Sequence, residues 1–449
     1  MGSVATLSTR TTGAVICVVL CVFASGASAL DSRAHIAKSV QLIEAREYAL
    51  ARSYLNPALI DFRLHPTERS RAYYLRGYTF YAQELYVSAG LDYARALEFN
   101  PDNPMALLSL GGQYLRGQGV PRDADLAMPL LERSAELGNV NAMYFLGFAF
   151  LHGEEIETDL EAARTWLTSG AEAGHTDCMH LLASSFRLPH ADPPDPEQAR
   201  HWYERAHTAG DARALAVLGY MHTKGEFGEP DAQTAATLFA QAAAEGLASA
   251  MLTLGHAYLL GAGVQADAGR AHEWFTRAAE AGETDSYAWI GYLHQTGAGI
   301  QADLDEARSW YQRGADAGSH EAQQRLAYLL LGEANTQATE QAAGLLSGLA
   351  QQGLPQWQND FAWLLATSRE AGVRDGELAL EHAREAVRAQ RSAAYLDTLA
   401  AAHAELGDFE AAISVQLEAI ALLSAEDARA LEELSKHLAA YQAARPWRE

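Results

Sequence analysis

Apolar and small residues recur along this chain at helical spacing, and from residue 105 to 353 the whole pattern returns every 36 residues. A Leu-Gly-type dipeptide marks the phase: Leu110-Gly111, Leu146-Gly147, Leu182-Ala183, Leu218-Gly219, Leu254-Gly255, Ile290-Gly291 and Leu326-Ala327. Four residues before it stands a small residue (Ala106, Ala142, Cys178, Ala214, Ala250, Ser286, Ala322). Four residues after it stands a mostly aromatic one (Tyr114, Phe150, Phe186, His222, Tyr258, His294, Leu330). Spacings of four place these side chains on one face of a helix, here termed helix A. A constant period of this length predicts a solenoid in which each unit is buried by its neighbours.

A Gly-rich turn follows helix A, as in Gly261-Ala262-Gly263-Val264 and Gly297-Ala298-Gly299-Ile300. Its recurrence without a preceding strand argues for helix termination and against a phosphate-cradling loop. Six aspartates then share one phase: Asp123, Asp159, Asp195, Asp231, Asp267 and Asp303. Each precedes a second helical pattern, helix B, so they are expected to cap it rather than to act as catalytic carboxylates. Helix B carries an Ala column (Ala127, Ala163, Ala199, Ala235, Ala271, Ala307, Ala343) and, three residues on, a large apolar one. The latter (Leu130, Trp166, Trp202, Leu238, Trp274, Trp310, Leu346) is expected to be core. Gly138, Gly174, Gly210, Gly246, Gly282, Gly318 and Gly353 close the units.

The pattern Ala-x3-Leu-Gly-x2-Tyr-x2-Gly-x-Gly-Val-x2-Asp-x3-Ala-x2-Trp-x7-Gly resembles the Sel-one-like repeat (SLR), a relative of the tetratricopeptide repeat (TPR). Seven such units would occupy 105–353; the third departs in a Pro-rich turn, and the seventh lacks the Gly turn and the Asp cap. The flanks resemble TPRs through Tyr73, Gly77, Phe80, Ala89, Tyr93, Ala96 and Pro101 on one side. On the other the carriers are Leu396, Leu399, His403, Gly407, Phe409, Ala412 and Ala419. The resemblance implies an all-α fold, a right-handed α-solenoid of SLR/TPR helix-turn-helix repeats. Its expected segments are 1–29 (signal peptide), 30–104 (TPR-like), 105–353 (SLR) and 354–449 (TPR-like with a capping helix).

The first residues read as an export signal: Arg10, an apolar run from Gly13 to Ala24, and the small-x-small site Ala27-Ser28-Ala29. Cleavage after Ala29 would remove Cys17 and Cys21 and leave Cys178 as the sole cysteine. A periplasmic or secreted location is expected, without stable membrane insertion. Lys and Arg number 33 against 57 Asp and Glu, a net charge of −24 that disfavours nucleic acid as a partner.

No nucleophile elbow, His-Glu-x-x-His, Walker loop or Cys-x-x-Cys occurs, so neither enzymatic activity nor a cofactor is expected. The third unit concentrates His175, His180, His190, His201 and His207, but none shows the i, i+4 spacing of paired metal ligands, and no metal site is assigned. Cys178 replaces Ala in the small-residue column and is expected to be buried and inert. One row remains. The position after the Gly reads Gly112, Phe148, Ser184, Tyr220, His256, Tyr292, Tyr328, and in TPR register it faces the concave groove. Phe148, Tyr220, His256, Tyr292 and Tyr328 are therefore candidates for contacting a partner, packing between repeats being the alternative. The expected function is an exported, non-enzymatic scaffold or regulator of a cell-envelope process that binds a protein. A glycan- or peptidoglycan-binding adaptor is the alternative.

Overall fold

The aspartate column behaves as its phase predicts in a computed structural model describing residues 29–153, 156–187, 193–333, 335–424 and 427–449. Asp123, Asp159, Asp195, Asp231, Asp267 and Asp303 each cap helix B, accepting a backbone N–H at 2.9–3.0 Å. The same aspartates donate their own N–H to the carbonyl of the aromatic column, from Asp123 to Tyr114 (3.0 Å) through Asp303 to His294 (2.8 Å). One residue thus ends the turn at both sides. The predicted export signal with Cys17 and Cys21 lies outside the described residues, as does His190.

The fold is all-α: 23 helices and no strand among the described residues, arranged as a helical-repeat solenoid. The chain divides into two compact units, one up to Leu218 and one from Gly219. The first begins with the helices Ala29–Glu44, Tyr48–Ile60, Pro66–Tyr81 and Tyr86–Phe99 and continues into SLR-type pairs from Pro104–Arg116 and Ala124–Glu136 onward. The second carries further pairs, among them Ala248–Leu260 with Ala268–Glu280 and Ser286–Thr296 with Leu304–Asp316. The pair His320–Leu331 and Thr336–Ala350 stands in the seventh position; here Gly332 keeps a right-handed backbone and Asn335 replaces the aspartate cap. The C-terminal helices are Pro355–Thr367, Gly376–Ala389, Ala393–Glu405, Phe409–Ala421 and Ala428–Gln442.

Close helix approach explains the Gly of the dipeptide. A Cβ on Gly255 would sit 2.5 Å from Cε1 of Phe275, and those on Gly147 and Gly291 would collide with Leu167 and Tyr311. The residues pressed against these glycines form the deepest column of helix B: Leu131, Leu167, Tyr203, Phe239, Phe275 and Tyr311, all buried. This corrects the expectation placed on Leu130, Trp166, Leu238, Trp274 and Trp310. They sit one residue earlier and are only half-buried, and Trp202 is the Trp of that column that is buried. Guanidinium groups one helical turn on cover their outer faces, Arg205 over Trp202 (4.6 Å), Arg277 over Trp274 (4.8 Å) and Arg313 over Trp310 (4.0 Å).

The second glycine of the turn answers to another contact. Gly263 has φ of +73°, and a Cβ there would strike the carbonyl oxygen of Ala232, at the start of the preceding helix B. Cys178 is fully buried beside Gly170, with its Sγ 3.9 Å from the carbonyl oxygen of Val140, and burial pushes its thiol up to about 12. It fills an Ala position as an inert side chain.

Candidate partner-binding face

Helix A of each unit presents the row after the Gly, and the two compact units hold separate parts of it. In the first, Gly112 is buried and Phe148 is 37% exposed, stacked on His152 at 4.1 Å. Ser184 is half-buried.

In the second unit the row is a ladder from one helix A to the next. Tyr220 is 47% exposed; it meets Phe239 edge-on at 5.1 Å and its hydroxyl lies 3.2 Å from Oγ1 of Thr253. His256 is wedged between Phe275 (5.2 Å) and Trp289 (4.5 Å), where burial holds its pKa below the usual imidazole value. Its Nε2 is buried without a hydrogen-bond partner. Tyr292 packs on Trp289 at 5.8 Å with the guanidinium of Arg325 5.3 Å from its ring. Tyr328 is 49% exposed and its hydroxyl donates to Oδ2 of Asp360 at 2.5 Å.

Each of these side chains reaches a residue 32 or 33 positions on, so packing between repeats takes one edge of the row. His256 and Tyr292 are consumed by that packing. Phe148, Tyr220 and Tyr328 keep an exposed face beside it. A side chain held on one edge and open on the other is pre-ordered, so a contact made there costs little further side-chain entropy. Asp360 and Trp363, beyond Tyr328, belong to the same surroundings, and sequence reasoning missed them. Both follow the last 36-residue unit, where the period ends; the spacing of Asp360 from Gln324, which donates to it at 2.8 Å, was the available signal.

Among the described histidines of the third unit, His175, His180 and His201 have separate partners. His175 accepts the N–H of Cys178 as a helix cap, His180 lies 3.1 Å from Asp211 with its ring edge-on to Tyr203, and His201 packs on Trp202. Among the described residues no three His, Cys, Asp or Glu side chains are grouped to hold a metal ion. No described helix is long and apolar enough to cross a membrane.

A family model of the Sel1 repeat matches residues 104–139, 140–175, 176–211, 212–247, 248–283 and 284–319. No curated protein matches the chain. Among solved structures it is similar to a protective antigen of uropathogenic Escherichia coli strains displaying an SLR fold. That likeness has 21% identity, covers 95% of this chain and 94% of the other, and has a TM-score of 0.49. A Sel1 repeat protein from Oxalobacter formigenes is 25% identical over 54% of this chain and 96% of its own, with a TM-score of 0.43. Yeast Tom70 is 15% identical over 92% and 96%, with a TM-score of 0.37. Sel1 and TPR-like repeats are in general non-catalytic scaffolds for protein–protein interaction. Six consecutive family matches, carrying the capped helix pairs and Gly contacts described above, make this chain a Sel1 repeat protein over residues 104–319.

Proposed function

We propose that this protein is an exported, non-enzymatic scaffold of the cell envelope that holds a protein partner on the concave, helix A face of its repeats. The observation that carries this reading is the exposure of Phe148, Tyr220 and Tyr328 at one register position of an interaction repeat. Aromatic side chains are enriched at interface centres because they bring large contact area with few rotatable bonds. Export rests on Arg10, the apolar run from Gly13 to Ala24 and Ala27-Ser28-Ala29.

The test is crosslinking in intact cells with the protein and its Phe148→Ser/Tyr220→Ser variant. The expected result is a captured envelope protein that is lost from the variant while its circular dichroism is unchanged. Undiminished capture by the folded variant would remove this face from the reading. Mass spectrometry of the mature chain should find Leu30 at its N-terminus; an intact N-terminus on cytoplasmic protein would overturn export.

A further inference from the structure

Beyond Tyr328, within the second unit, the helices from His320 onward enclose a cavity of about 1030 Å³. Its walls come from Pro355–Thr367, the first turn of Ala393–Glu405 and the helix Ala428–Gln442, with Glu449 alongside. That volume is at the upper end of ligand pockets, which run from about 300 to 1,000 Å³, and exceeds what a lone ion needs.

The lining is unbalanced in charge. It carries Asp360, Glu370, Asp397, Glu433 and Glu449 against a single base, Arg369. Asp397 is met by Nδ1 of His437 at 2.8 Å and Glu433 by Arg429 at 3.5 Å. The other three are held by neutral donors only. Asp360 accepts from the Tyr328 hydroxyl and the Gln324 amide, Glu370 from the Thr336 hydroxyl at 3.0 Å, and Glu449 from the Trp363 indole at 2.9 Å. None of these three takes part in an ion pair among the described residues. A fourth acceptor, Oδ1 of Asn359, is buried in the wall with no hydrogen-bond partner. The carboxyl end of Pro355–Thr367 adds its partial negative charge. The positive elements opposing this set are Arg369, the amino end of Ala393–Glu405, and the guanidinium groups of Arg448 and Arg374, which donate to the carbonyls of Ala366 (3.2 Å) and Ser368 (2.9 Å) at that carboxyl end.

We infer that this cavity receives a basic side chain, arginine or lysine, carried on an extended segment of the protein partner. The inference rests on the reading above and names the partner's chemistry. A guanidinium or ammonium group has donors and no acceptor, which is what carboxylates held by neutral donors and outside any ion pair select. The aromatic side chains of Trp363 and Tyr328 line the same space, and aromatic rings favour a neighbouring cation. The volume leaves room for the backbone that delivers the side chain.

The full-length protein is titrated, in about 150 mM salt to screen exposed charge, with a fluorescein-labelled nonapeptide of alternating Ala and Arg. The control peptide has Gln for each Arg. The Arg peptide should bind and the Gln peptide should not. Asp360→Asn/Glu370→Gln should weaken binding by about tenfold or more, as loss of charge-assisted hydrogen bonds does. Glu172→Gln/Glu273→Gln, which removes the same net charge far along the sequence, should leave it unchanged. Trp363→Leu is the second variant if the first melts early, and should also weaken binding. The inference is overturned if the native protein binds neither peptide, if it binds both equally, or if both double variants lose affinity alike. Capture through Phe148 and Tyr220 does not involve this cavity, so either result can fail without the other.

Discussion

Gly255 shows how much one absent atom decides in this protein. Its helix lies so close to helix Ala268–Glu280 that a methyl group would sit 2.5 Å from Cε1 and 2.6 Å from Cδ1 of Phe275, a ring with no exposed surface. Gly255→Ala is therefore expected to destabilise the protein by about 1–3 kcal/mol, the usual cost of overpacking, despite the better helix propensity of Ala. A denaturant melt measures this, and a midpoint at or above that of the native chain would show that the helices can part cheaply. The Leu-Gly phase was legible in the sequence, but the contact partner was not. Most of the expected core column, namely Leu130, Trp166, Leu238, Trp274 and Trp310, lies one residue before the buried one and is only half-buried. On a helix adjacent positions differ by about 100°, and both columns are apolar, so periodicity alone does not separate the deeper from the shallower.

At the scale of the element, each helix B is begun by an aspartate that joins two local jobs. Asp159 accepts the N–H of Ala162 at 2.9 Å and donates its own N–H to the carbonyl of Phe150 at 2.9 Å. Asp159→Ala removes the side-chain cap and leaves the backbone bond, with an expected loss of about 1 kcal/mol. Asp159→Asn should restore most of it, because the amide oxygen caps as well; equal loss in both variants would assign the effect to charge instead. Such capping is a short-range property, set by the residue and the helix that follows it. For that reason the sequence spacing was sufficient to assign it.

For the whole molecule, buried imidazoles are the distributed source of pH dependence. Burial lowers the pKa of His180, His256, His272 and His403. In the unfolded chain these groups take up protons near pH 6.5. Below that pH, and above their folded values, the unfolded state binds more protons than the folded one, so stability rises with pH across this window. The melting temperature should fall as the pH is lowered from about 7.5 to 5.5. His256→Phe, which keeps a ring between Phe275 and Trp289 without a group to titrate, should flatten that fall. A melting temperature independent of pH, or rising on acidification, would contradict the assignment.

The sequence by itself determined the all-α repeat fold, the helix pairs, the six aspartate caps and the burial of Cys178, since each rests on contacts repeated at a fixed interval or made within a few residues. Only the tertiary structure divided the aromatic row. Phe148, Tyr220 and Tyr328 occupy the same register as His256 and Tyr292, and their exposure depends on what the next helix A brings opposite, whether Thr253, Trp289 or Arg325. The cavity beside Tyr328 was out of reach of sequence for a related reason. Asp360 and Asp397 lie in helices outside the period and Glu370 and Glu449 in segments beyond helix ends, and only packing brings their carboxylates into one wall.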